Sequence, residues 1–283
     1  MATSAPTAPV HQLPAEAYFS QEWFDLEQEH VHATTWHRID PEVAERAAVS
    51  GTLEVDTWEG LHFASQRPAQ TLADALAGLP AAIGSFRPSE LVEVGRADLV
   101  AVCNWKLFIE NHIDVLHLWY LHDESLAAYD HTQFEHRSLG ENWASYEPVR
   151  PGSSALADAA PPIRHLDERD RTGLGAHLLF PDTPMATSAS FFLTYRAVAV
   201  EPEVTRVEVR VLGEPGSDGA ELVATARSFI EEDLEACVRI QQAVRSSHFE
   251  VGPLALDHER PITAFHHQLL RRIIPSNPES PLR

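Results

Sequence analysis

The chain has 283 residues, enough for one large domain or two small ones, and its 44% hydrophobic content is ample for a sizeable core. Acidic side chains number 42 against 21 basic ones, a net charge of −21, and Lys106 is the lone lysine. Such a surface repels nucleic acid and anionic membranes, whose binding needs basic patches. Neither is expected as a partner; solubility is the plain reading of the charge, and a basic partner or cationic substrate the other. The first residues carry neither the basic n-region nor the apolar core of a signal peptide. The longest weakly polar stretch, 72–84, contains Asp74 and Pro80 and is too short to span a bilayer. Two cysteines, Cys103 and Cys237, give no disulfide framework. Both are expected reduced and buried, in a cytoplasmic protein.

In chain order, the hydrophobic spacing predicts α+β organisation. Residues 14–34 read as a helical lead with Trp23, Phe24, Leu26 and Val31 on its apolar side. Residues 53–58 and 61–65, joined by Glu59-Gly60, read as a hairpin. A helix over 71–79 is expected to end before Pro80, with strands at 90–94 and 98–103. The next apolar run predicts a helix over 105–121, after which strands dominate, at 132–139, 142–149, 176–180, 191–200 and 204–212. In the last, Val207, Val209 and Val211 alternate with Arg206, Glu208 and Arg210, the period of a half-buried antiparallel strand. Residues 151–171, rich in Pro, Ala, Asp and Arg, lack periodicity and read as a loop, a candidate lid over a pocket. A long helix over 220–247 and a closing one over 262–274 follow, and no internal repeat is present.

The most informative run is Asn104-Trp105-Lys106-Leu-Phe-Ile-Glu110-Asn111-His112-Ile-Asp114-Val-Leu-His117-Leu-Trp-Tyr-Leu-His122. On a regular helix Asp114 and His117 share a face, while His122 falls about 140° around from His117. The two imidazoles converge on one ion only if the helix ends, bulges or loosens between them. With a carboxylate from elsewhere they would form the open facial triad that suits non-haem Fe(II) oxygen chemistry. By spacing alone, a His pair on a part-apolar segment is more often packing than ligation. The run as a whole, however, resembles the signature of the catalytic domain of Rieske-type non-haem iron oxygenases, the ring-hydroxylating alpha-subunit family with its N-demethylase and quaternary-amine relatives. That resemblance implies His117 and His122 as iron ligands. It also implies Asp114 as the acidic residue that passes electrons from a neighbouring cluster, beside the duller reading of a carboxylate that orients His117.

The third ligand must come from far along the chain. In Ser228-Phe229-Ile230-Glu231-Glu232-Asp233-Leu234-Glu235-Ala236-Cys237, the family pattern of an aromatic followed four positions later by the ligand carboxylate falls on Phe229 and Asp233, with Glu232 as runner-up. Composition alone reads this segment as a solvated acidic helix face. Against that, Phe229, Ile230, Leu234, Val238 and Gln241 give an amphipathic helix with one buried side. The resemblance further implies a helix-grip (Bet v1/START-like) fold, a curved antiparallel sheet around a long C-terminal helix enclosing a substrate cavity. It covers nearly the whole chain, strongest at 104–122 and 228–242, weaker at 13–37, 53–94 and 175–212.

The family's 2Fe–2S cluster needs two Cys and two His on one domain, and neither Cys103 nor Cys237 belongs to a Cys-x-His or Cys-x-x-His pair. Residues 13–38 resemble the entry to the cluster domain and 55–63 the strand pair that follows it, with only about twenty residues between them. We therefore divide the chain into a vestigial N-terminal extension, 1–66, with the cluster insert deleted, and a mononuclear iron domain, 67–283. The expectation is an Fe(II) oxygenase subunit, without a 2Fe–2S cluster of its own, that hydroxylates or oxidatively dealkylates a small molecule with O2. Electrons would come from a separate Rieske-containing subunit or reductase, in a homo- or hetero-oligomer. A metal enzyme needing no external electrons and a non-catalytic binding subunit are the alternatives. His112 reads as packing or as a support behind the ligands, His266 and His267 as core or surface residues, Glu110 and Asn111 as supports to the ligands, Trp105 and Trp119 as core. His30, His32, His37 and His62 lie where the cluster domain would join, with no Cys beside them.

Overall fold

A computed structural model describes residues 12–122, 134–148, 161–255 and 258–274. The elements run α1 (Gln21–His30), β1 (His37–Ile39), α2 (Pro41–Ser50), β2 (Glu54–Trp58), β3 (Leu61–Ser65), α3 (Leu72–Ala75), α4 (Leu79–Ile83), β4 (Val92–Ala101), α5 (Trp105–Ile113), α6 (Leu118–Leu121), β5 (Phe134–Leu139), β6 (Trp143–Pro148), β7 (Gly175–Leu179), β8 (Thr183–Ser188), β9 (Phe191–Glu201), β10 (Val204–Gly213), α7 (Gly219–Val244) and α8 (Arg260–Ile273). Among the described residues the strands form two antiparallel sheets. One has the order β1-β3-β2; the other is seven-stranded, β4-β10-β9-β8-β7-β6-β5. The larger sheet is open at both edges, and α7 packs against its β4–β10 end and against α5. This is the helix-grip arrangement, with the principal core between sheet and helices.

Local sequence explains the two elements that matter most. Asp218 caps α7 by accepting from the amides of Ala220 and Glu221, which satisfies two of the unpaired donors of its first turn. Leu222, Ala226, Phe229, Ile230, Asp233, Leu234, Cys237, Gln241 and Val244 then form its buried stripe, at steps of three and four. The exposed side carries Arg227 with Glu231 and Arg239 with Glu235, ion pairs one turn apart. In β10, Val207, Val209 and Val211 are buried as their alternation requires. Full burial of such a side chain contributes ~1.5–3 kcal/mol.

The opposite face of β10 is not free in solvent. Arg210 is buried, paired with Asp40 at 2.6 Å, and Arg38 reaches Glu208 at 3.4 Å. The N-terminal segment thus covers the face that alternation alone assigns to water, through charges matched across it. Leu13, Ala17, Tyr18, Trp23 and Val31 meanwhile belong to the principal core.

Several predicted elements need correction. The lead over 14–34 is helical as α1 only between 21 and 30, with short 3-10 turns on either side. Pro80 does not close the helix expected at 71–79; it sits in the first turn of α4, where its missing N–H has no intrahelical acceptor to lose. The strands expected at 90–94 and 98–103 are one strand, β4, held along its length by β10. Four elements went unpredicted: β1, α2, α4 and β8. The last has no Val or Ile and contains Pro184, which pairs with β7 before the β9 ladder begins at Met185. The helix over 105–121 is two helices, α5 and α6, parted at Asp114. Residues 132, 133 and 149, most of the predicted lid (151–160) and the Trp119 side chain lie outside the described residues.

Candidate metal centre

The Asn-Trp-Lys run fixes where α5 begins. Asn104 caps it through the Lys106 amide, its side-chain amide donates to the Pro202 carbonyl at 2.6 Å, and its backbone N–H donates to Gln241 of α7 at 2.8 Å. Trp105 Nε1 and Lys106 Nζ both donate to Glu27 of α1, at 2.8 and 2.6 Å. Lys106 and Glu27 are wholly buried. The lone lysine therefore bolts α5 to α1 and offers no charge to a ligand.

The end of α5 fixes the site. Asp114 adopts an extended conformation (φ −83°, ψ 117°), the helix stops, and its carboxylate accepts from the Leu116 amide at 2.8 Å. The chain re-enters helix at His117 and leaves it again at His122. This break removes the 140° offset of a continuous helix and brings the two rings to 5.1 Å between centroids. On α7, Asp233 lies on the buried stripe facing them. His122 Nε2 is 3.0 Å from Asp233 Oδ1 and His117 Nε2 is 3.6 Å from the same oxygen. One donor atom from each of His117, His122 and Asp233 lies within 4.8 Å of the other two.

The remaining nitrogens are already committed. His117 Nδ1 donates to the carbonyl oxygen of Asp114, and His122 Nδ1 donates to Glu232 at 2.7 Å. Asn111 donates to Asp233 Oδ1 at 2.7 Å. Metal-binding histidines characteristically give their other N–H to a carbonyl or carboxylate, which fixes tautomer and ring orientation. Two neutral imidazoles and a carboxylate arranged this way fit a divalent iron, zinc or cobalt ion. Burial pulls the His117 imidazolium down, which keeps the ring neutral. In His122 burial acts the same way, but Asp233 and Glu232 outweigh it and raise the pKa. In the metal-free protein a proton there does the work a cation would take over.

The cavity beside these groups is small, about 40 Å3, with walls that include Phe108, Leu174, Ala186, Phe229, Tyr146 and Tyr195. Burial raises both tyrosine hydroxyls well above the ordinary range, reinforced by the Asp233 charge and, for Tyr146, by Asp114, so both stay protonated. His112 also lines it; its ring nitrogen meets the His177 carbonyl at 3.0 Å, and burial holds its pKa down to about 4. A larger cavity of about 240 Å3 lies elsewhere, against the N-terminal segment.

The other expected residues divide. Asn111 is at the site. Glu110 is not: it accepts from Tyr18 at 2.8 Å and meets His266 at 3.0 Å, a buried cluster behind α5. His266 is core, His267 is exposed, and Trp105 is fully buried. Cys103 and Cys237 are both buried and free. Tyr146 and Tyr195 carry no mark in the sequence, because an aromatic within a strand gives no local sign of the cavity it will face.

Fold and site together define a helix-grip protein with a candidate mononuclear metal centre between α5–α6 and α7. Residues 88–274 match the family described as ring hydroxylating alpha subunit (catalytic domain), about two thirds of the chain. The chain belongs to that family. Among solved structures it is similar to the quaternary ammonium Rieske monooxygenase CntA in complex with an inhibitor, at a TM-score of 0.73 and 13% identity, over 92% of this chain and 95% of that one. CntA in complex with gamma-butyrobetaine gives a TM-score of 0.68 at 16% identity, over 92% and 94%. Naphthalene 1,2-dioxygenase from Rhodococcus sp. bound to indole gives 0.65 at 14%, over 94% and 95%. No curated protein matches the sequence. No helix among the described residues is long and apolar enough to cross a membrane.

Proposed function

We propose that this chain is the iron subunit of a Rieske-type oxygenase system, with His117, His122 and Asp233 as ligands of a mononuclear Fe(II). Its reaction is the hydroxylation or oxidative dealkylation of a small organic substrate with O2. The observation that carries this reading is the convergence of His117 Nε2, His122 Nε2 and Asp233 Oδ1, with Nδ1 of each ring tied to an acceptor. An Fe(II) ion in such a donor set supplies oxygen chemistry at its open coordination positions. The protein's share is orientation and dryness. Asn111 holds the carboxylate, Glu232 and the Asp114 carbonyl hold the imidazoles, and Phe108, Phe229 and Ile230 keep water from the reacting face.

Electrons come, on this reading, from a separate cluster-bearing subunit or reductase, because neither Cys103 nor Cys237 has a neighbouring His with cluster spacing. Asp114, at the break between α5 and α6, is the residue through which they pass. Residues 1–66 are the extension from which a cluster insert is missing, and residues 67–283 the iron domain. The partner subunit makes the working assembly an oligomer, in the cytoplasm.

Electron paramagnetic resonance of the anaerobic Fe(II)-loaded protein with nitric oxide tests the centre. A high-spin iron–nitrosyl signal is expected, abolished or strongly altered in His117→Ala and Asp233→Ala. A folded parent without it would shift the reading to a binding subunit. Turnover that proceeds equally well without any added cluster protein would instead favour a metal enzyme that needs no external electrons.

A further inference from the structure

A second pair of imidazoles converges on a carboxylate outside the His117–His122–Asp233 cluster, with the His32 ring 4.8 Å from that of Trp105 at the start of α5. His32 lies in the turn after α1, His37 opens β1, and Asp182 stands between β7 and β8. One donor atom from each lies within 4.8 Å of the other two. His37 Nδ1 is 2.8 Å and His32 Nδ1 is 4.0 Å from Asp182 Oδ2. Tetrahedral ligation at ~2.1 Å separates donors by roughly 3.4 Å, which these two distances bracket. His37 Nε2 donates to the His32 carbonyl at 2.6 Å, the contact that would set the ring for ligation through Nδ1.

Unsatisfied polar atoms separate this cluster from an ordinary core ion pair. His32 Nε2 is buried with no hydrogen-bond partner, and so are Gln28 Nε2, Ser65 Oγ and Arg196 Nε. All four residues line the same cavity of about 240 Å3, together with His37 and Asp182. Buried polar groups without partners are rare in native proteins and mark a missing water, ion or ligand.

We propose that His32, His37 and Asp182 bind a divalent transition-metal ion of the Zn2+ type. A further coordination position opens onto the cavity, where a metal-bound water or small anion meets Gln28, Ser65 and Arg196. Arg196 Nε is 3.8 Å from Asp182 Oδ2, and its positive charge disfavours a bare cation. An anionic ligand in the open position removes that repulsion. The ion ties the N-terminal segment to the β7–β8 turn, across a sequence separation of 145 between His37 and Asp182. It does not depend on iron at the α5–α7 centre.

The test uses full-length protein stripped with chelator and titrated with Co2+, followed by metal analysis and visible absorption. The double variant His117→Ala/Asp233→Ala removes the first centre; it is expected to retain about one equivalent with a low-coordinate Co2+ spectrum. Adding His32→Gln should abolish that equivalent while the far-ultraviolet dichroism stays unchanged. In a parallel measurement, Zn2+ should raise the melting temperature of the double variant and not of the triple. The proposal is overturned if the double variant takes up no metal, or if His32→Gln leaves its uptake and melting shift intact. Stabilisation of the metal-free double variant by acetate or phosphate, with no Co2+ binding, would overturn it in favour of a simple anion pocket.

Discussion

Glu232 and Asp233 are adjacent in sequence and meet the His117–His122 pair from different sides, because a helix turns about 100° from one residue to the next. Asp233 faces both Nε2 atoms, whereas Glu232 reaches around to Nδ1 of His122. The two should therefore fail differently. Asp233→Asn is expected to abolish tight Fe(II) binding, while Glu232→Gln, which only loosens the His122 ring, should weaken it ~10–100-fold. Anaerobic Fe(II) titration with a chromophoric competitor distinguishes them, and equal losses would contradict the assignment. Asp114 is the third case. Its backbone carbonyl, rather than its carboxylate, holds His117. Asp114→Asn should accordingly keep iron and the nitrosyl signal yet slow turnover driven by an external cluster protein, read as product formed per unit time at a fixed concentration of the reduced donor.

At the scale of elements, α5 is positioned by what lies at its start. Glu27 accepts from both Trp105 and Lys106 in a dry environment. Glu27→Ala strands a buried ammonium and is expected to cost ~3–5 kcal/mol in urea unfolding. The pair Glu27→Leu/Lys106→Met, which removes both charges, should recover most of that loss. If the double change proves as damaging as the single, the charges do more than fasten α5 to α1. Asn104→Ala should cost ~1 kcal/mol for the lost cap. The break after Ile113 belongs to this scale too. It is the one departure from helical periodicity in the run, and it is what lets two histidines five positions apart face one point.

For the molecule as a whole, buried neutral imidazoles set the acid limit. His177 in β7 is enclosed, and burial, with His112 and Arg169 nearby, lowers its pKa from 6.5 to about 3. The unfolded chain takes up this proton near pH 6.5, whereas the folded one refuses it until about 3. Its contribution to stability is thus complete above pH 6.5 and is lost as pH falls through that window. The slope is up to ~1.4 kcal/mol per pH unit for the one site. Urea unfolding of the metal-free protein from pH 7 to 4 should show it, and His177→Gln should flatten the curve by one proton; an unchanged slope would mean that His177 is already charged when folded. Arg38, Asp40, Glu208 and Arg210 act at the same scale by locking the N-terminal segment over the outer face of β10.

The sequence by itself determined the periodic elements and the family. The valine alternation of β10, the hairpin over 54–65, the stripe of α7 and the 104–122 run are local patterns, and local patterns survive without knowledge of the fold. The proposed ligands His117, His122 and Asp233, with the Glu232 alternative, come from that same local pattern, by resemblance to a motif. Tertiary structure decided what depends on distant partners. It ended α5 at Asp114, divided Glu232 from Asp233, and sent Glu110 to Tyr18 and His266. It also covered Arg210 with the N-terminal segment and set His32 and His37 against Asp182. A spacing rule reports which side of its own element a residue occupies. What stands opposite that side is set by packing between elements far apart in the chain, and there the chemistry of both clusters is made.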